Sequence, residues 1–171
     1  MFFNTPFSRE TSLYLTLVTC PEKEEIEKMS KKDNIVLLNP DFIISSFHIL
    51  IGVNRAYYNL HVQKMKSKQI KKEIIHCMTN ETKLENSLNI HSIANNENNN
   101  YFLIFINLSK EEIEKEISNL KANEISSINY SKFINEEAIM KTFGIKEIEI
   151  EKCENGLTGA VYNRISTKEL K

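Results

Sequence analysis

Residues 101–108 (YFLIFINL) form an almost unbroken apolar run, and no other stretch constrains the fold as tightly. Side chains alternate between the two faces of a strand, so a strand with one wet face would alternate in polarity. This one does not, and it reads as a strand covered on both faces. Residues 12–20 (SLYLTLVTC) do alternate, with Leu13, Leu15 and Leu17 set against Tyr14, Thr16 and Val18, and give a second strand.

Helical signals fill much of the rest. Pro21 opens a charged stretch, residues 22–32, with Ile26 and Met29 three apart, a helix with a narrow apolar stripe. Asn39-Pro40 reads as the opening of a helix carrying Phe42, Ile43, Phe47, Leu50, Ile51, Asn54 and Tyr58. From 42 to 53 it is apolar almost all round, so it is expected to be the central buried helix. Gly52 costs a helix about 1 kcal/mol, which marks a close approach by a neighbour. Residues 64–72 are basic and aperiodic; Glu73 to Met78 makes a short helical turn, and Leu84 with Leu88 another.

The Asn-rich residues 95–100 favour turns and disorder, because these side chains compete for backbone hydrogen bonds. Ser109 and Glu112 form a capping box ahead of Ile113, Ile117 and Leu120. Residues 124–130 are read as a further strand, 136–143 as a helix stopped by Gly144, and 157–164 as a last helix. The expected fold is mixed α/β (α+β): a single domain over 1–171 with a small, largely antiparallel central sheet packed by helices.

Composition excludes several classes. At 171 residues the chain can bury a sizeable core. A net charge of −1 argues against a broad electrostatic grip on nucleic acid, so any such contact has to come from a local patch. Cys20, Cys77 and Cys153 are widely spaced and lack the spacing of a disulfide frame or zinc site. Neither a signal peptide nor a membrane span is read, and an intracellular protein is expected.

Catalytic motifs are missing too. There is no GxSxG, no phosphate-binding glycine loop, and no His pair at metal-binding spacing. His48 falls in the apolar stretch of the central helix and reads as a hydrogen-bonded core histidine. No cofactor or metal is expected. Two basic clusters remain: Lys64, Lys66 and Lys68, two apart and on one side of an extended backbone, and Arg164, Lys168 and Lys171 in a basic tail over 164–171. Such side chains make phosphate contacts, and equally serve only for solubility.

Several segments in fixed order carry a resemblance. Asn39-Pro40 is followed by Phe47, Ile49-Leu50, Asn54 and Ala56; then come Met65-Lys66 and Glu73-Ile74-Ile75; Arg164 with Ser166-Thr167-Lys168 closes the chain. Together they resemble the TPRKB family, the small kinase-binding subunits of the KEOPS (EKC) tRNA-modifying complex. The resemblance implies a noncatalytic protein of cytoplasm and nucleus that binds a small atypical kinase. It also implies help in recruiting tRNA through the acceptor end, for threonylcarbamoyl modification of the adenosine beside the anticodon.

Within that reading, Ile74, Ile75, Met78, Leu84 and Leu88 are expected to include the kinase-facing patch. Lys66, Lys68, Arg164 and Lys168 are expected to hold tRNA. Reversing the charges of Arg164 and Lys168 should then weaken tRNA binding and spare the fold. Two alternatives stand beside it: a kinase adaptor with no RNA role, and a small enzyme with a site around His48, Arg55 and Glu73.

Overall fold

The computed structural model describes residues 2–5, 8–120, 122–125 and 132–168. The run at 101–108 becomes strand β4 (Asn100–Ile106), counted after β1 (Phe2–Thr5), β2 (Ser8–Thr19) and β3 (Ile35–Leu38) and before β5 (Asn123–Ile125). Strand β4 lies between β2 and β3, from Leu13↔Ile106 to Thr19↔Asn100 on one side and Ile35↔Phe105 to Leu38↔Phe102 on the other. Strands β1 and β5 pair with the other edge of β2, and every pairing is antiparallel.

Both faces of β4 are covered, as its composition requires. Phe102, Ile104 and Ile106 join Leu13, Leu15 and Leu17 beneath α2 (Ser46–His61) and α3 (Ile70–Cys77). Tyr101, Leu103 and Phe105 face the opposite layer, where Ile26 and Met29 of α1 (Lys23–Ser30) pack with Ile113 of α5 (Lys110–Asn119). A further core joins Ile139 and Phe143 of α6 (Glu136–Phe143) to Ala160, Val161 and Ile165 of α8 (Gly156–Ser166). The remaining helices, α4 (Leu84–Ile90) and α7 (Glu147–Lys152), are short.

Local signals were realised where capping chemistry is specific. The Ser109 hydroxyl accepts from Glu112 N while the Glu112 carboxylate accepts from Ser109 N. Gly144 closes α6 at φ +62°, a conformation that favours glycine. Pro21 stays outside α1, whose first residue is Lys23.

The Asn39-Pro40 helix is corrected. Asn39 caps only a short 3₁₀ turn (Pro40–Phe42), the chain is extended again at Ile43, and α2 starts afresh with Ser45 accepting from His48 N. Nor is α2 apolar all round in its surroundings, because Phe47 is 56% exposed and Leu60 49%. The Asn-rich stretch is ordered by its own side chains: Asn95 Nδ2 donates to Asn89 O, and Asn96 Oδ1 accepts from Asn98 N. The reading of 124–130 as a strand holds for Glu124 and Ile125 of β5. Residues 126–130 lie outside the described residues.

At Gly52 helix α2 closes on Met78, the cap residue of α3, where an added Cβ would run into the Met78 side chain. Replacing glycine by alanine inside a helix ordinarily adds about 1 kcal/mol of stability. Here overpacking reverses the sign. Gly52→Ala is expected to cost about 1–3 kcal/mol, read as a lower urea midpoint. It should cost less when made in a Met78→Ala background than alone, a coupling that a double-mutant cycle reads.

Candidate functional site

One concavity, a cleft of about 210 Å³, is walled by α2, the loop before α3, α3 itself and the end of α8. Arg55, Lys64, Lys66 and Lys168 line it, together with Glu73. Its cationic side chains come from three places in the chain. No single basic run would have revealed them.

Glu73 is fully buried, and it shapes one wall. Its Oε1 accepts from Asn59 Nδ2 at 2.8 Å, and its Oε2 accepts from the backbone N–H groups of Lys66 and Ser67 at 2.9 and 3.1 Å. A buried carboxylate is tolerated when its lone pairs are satisfied in this way. The loop is therefore a turn wrapped around a carboxylate. The extended run that would place Lys64, Lys66 and Lys68 on one side does not form. Lys64 and Lys66 line the cleft, and Lys66 also donates to Thr82 O; Lys68 is exposed and is not part of the lining.

The terminal cluster departs from expectation more sharply. Lys168 is 6% exposed, with its ammonium 2.6 Å from the His76 carbonyl oxygen. Arg164 donates to both carboxylate oxygens of Glu149 at 2.7 and 2.8 Å and to Gly144 O. Both side chains are committed to bonds within the chain, and reversing the charge of the buried Lys168 would perturb the fold, contrary to the expectation above. Lys171 lies outside the described residues.

The apolar candidates divide in the same manner. Ile74 and Met78 are fully buried beneath α2 and face the sheet, which removes them from any partner surface. Ile75, Leu84 and Leu88 are half-buried and remain accessible. Behind them a buried chain of hydrogen bonds, His76 Nδ1 to Ser87 Oγ to Thr79 Oγ1, ties α3 to α4.

The small-enzyme alternative loses its centre. Arg55 and Glu73 share the cleft, but His48 is fully buried elsewhere, against Phe143. Its Nε2 donates to Met78 O at 2.7 Å and its Nδ1 accepts from Ile44 N, which defines a neutral imidazole. Among the described residues no group of His, Cys, Asp or Glu is arranged to hold a metal, and no helix is long and apolar enough to cross a membrane.

Such an arrangement defines a mixed α/β binding domain, with a small basic cleft and half-buried apolar helix faces. Residues 19–169 match the family model described as kinase binding protein CGI-121, and the chain belongs to that family. It is 26% identical over 151 residues to a zebrafish (Danio rerio) protein, the EKC/KEOPS complex subunit TPRKB, covering 85% of this chain and 84% of that protein. The resemblance read from the sequence is thereby borne out.

Burial lowers the His48 pKa from 6.5 to about 4, and burial reinforced by nearby His48 lowers that of His91 to about 3. The unfolded chain takes up both protons near pH 6.5, whereas the fold resists until those lower values. Their contribution is thus complete above pH 6.5 and is lost as pH falls through that window. Urea midpoints should decline from pH 6.5 towards 4, and His91→Gln should flatten the decline.

Proposed function

We propose that this protein is a noncatalytic subunit of the KEOPS/EKC complex that binds and supports its small atypical kinase. In that role it helps to recruit tRNA by the acceptor end, for threonylcarbamoyl modification of the adenosine beside the anticodon. Family membership supports the kinase half, and so does the relative's name. The half-buried Ile75, Leu84 and Leu88 are its candidate contacts, since an apolar anchor supplies most of the energy of such an interface.

The tRNA half rests on one observation: a basic cleft on a chain whose net charge is only −1. A small cationic recess suits the end of a single strand better than a duplex, which needs a long basic face. Arg55 stands over the Tyr58 ring at 5.5 Å beside the cleft, an arrangement on which a base can stack. Lys66 stays assigned to tRNA, with Lys68 on the exposed side of the same loop. Lys168 lines the cleft with its ammonium on the His76 carbonyl, and Arg164 anchors α8 behind it.

The test is co-purification with the small kinase of the same organism, followed by binding of tRNA with and without its terminal acceptor nucleotides. A stable pair whose tRNA affinity falls on trimming is expected. A stable pair indifferent to tRNA would leave a kinase adaptor without an RNA role. Lys66→Gln keeps the backbone bond to Glu73 and should reduce the salt dependence of tRNA binding by a slope of about 1. An unchanged slope would remove Lys66 from the interface.

A further inference from the structure

Among the described strands β3 ends the sheet, and its outer edge is unpaired, though its residues are buried. In the antiparallel pairing with β4, Ile106 N donates to Asn34 O, so the pairs exchanging hydrogen bonds are Val36 with Ile104 and Leu38 with Phe102. The N–H and C=O groups of Ile35 and Leu37 therefore point away from the sheet. Among the described residues nothing donates to them or accepts from them, although Ile35 is 1% exposed and Leu37 7%. Nearly all buried backbone groups in proteins are paired, so this edge is short of partners.

A groove of about 220 Å³ runs along this edge. It is lined by Ile35 and Leu37, whose side chains belong to one core, and by Val36, whose side chain belongs to the other. Only a groove on the strand's edge touches both. Ile75 and Leu88 wall it from the α3–α4 layer, and Ile93 from the opposite one. His91 lines it too; that residue is 4% exposed and its Nδ1 is buried with no hydrogen-bond partner.

Charge narrows the occupant. Lys71 and Lys72 lie on the groove, and no acidic residue lines it. The Lys71 ammonium is taken by the carbonyls of Ser30 and Lys32, whereas Lys72 has no hydrogen bond or ion pair with another described residue.

We propose that the open edge of β3 is a docking site for an extended segment of a partner protein, which adds to the sheet as a strand. Its backbone pairs with Ile35 and Leu37, its alternate apolar side chains enter between Ile75, Leu88 and Ile93, and a carboxylate on it meets Lys72. This goes beyond kinase binding: it concerns how an extended segment is held, and kinase co-purification is scored separately.

The experiment pans a displayed library of random short peptides against the full chain, then repeats binding with Ile75→Lys, which fills the groove. Leu88→Glu, at a more outward position, serves if the first variant melts early. Enriched peptides should alternate in polarity and carry an acidic residue. They should slow amide exchange at Ile35 and Leu37 and lose about tenfold or more in affinity to a folded variant. No enrichment would overturn the proposal, as would peptides that bind both forms equally with exchange unchanged. Self-association abolished by the same variants, with no peptide enriched, would give the edge to a second copy of this chain and overturn it as well.

Discussion

The closeness of α2 to α3 is the constraint on which the remaining structure rests. Gly52 admits the Met78 side chain, and His48 Nε2 donates to the carbonyl of that same residue. One turn from the other end of α2, Asn59 donates to Glu73. Two polar ties thus flank an apolar contact, and they fix both the spacing and the rotation of the pair. From that rotation follow the burial of Ile74 against the sheet and the placing of Arg55 opposite the loop after α2. The cleft is a by-product of packing, with basic groups supplied at its rim.

Cores on either side of the sheet are joined through β4, whose two faces belong to different clusters. The third core, around Phe143 and Val161, hangs from α2 through Ile51 and from the segment before it through Ile44. Its ion pair, Arg164 with Glu149, is part-exposed, and such pairs add little to stability. Its value lies in geometry: it orients α8 so that Ile165 and Lys168 reach the cleft. Lys168 then presents its stem to the wall and its ammonium to a backbone carbonyl, a buried cation satisfied by a dipole.

Sequence patterns revealed the elements whose cause is local. The doubly covered strand, the Ser109 cap, the Gly144 stop and the crowding at Gly52 each follow from residue chemistry within a few positions. Strand β3 was missed because four apolar residues have no readable period. Helix α7 (EIEIEK) was also missed; it alternates like a strand yet folds as a helix, its Glu149 carboxylate accepting from Lys146 N in the first turn. The site was legible only in part. Lys66, which lines the cleft, stands out by its basic neighbourhood, but the partner of Lys168 is the carbonyl of His76, 92 positions away. No spacing rule reaches that far.

Glu73 holds the loop after α2 by two backbone amides and by no side chain of that loop. The side chains that line the cleft from this loop are therefore uncoupled from the carboxylate that shapes it. The two bonds to Glu73 survive substitution at positions 66 and 67 by every residue that keeps its amide hydrogen, and proline alone loses them, whereas the Ser67 hydroxyl also accepts from Gln69 N. Lysine at position 66 can thus give way to other chemistry while the buried carboxylate still holds the turn.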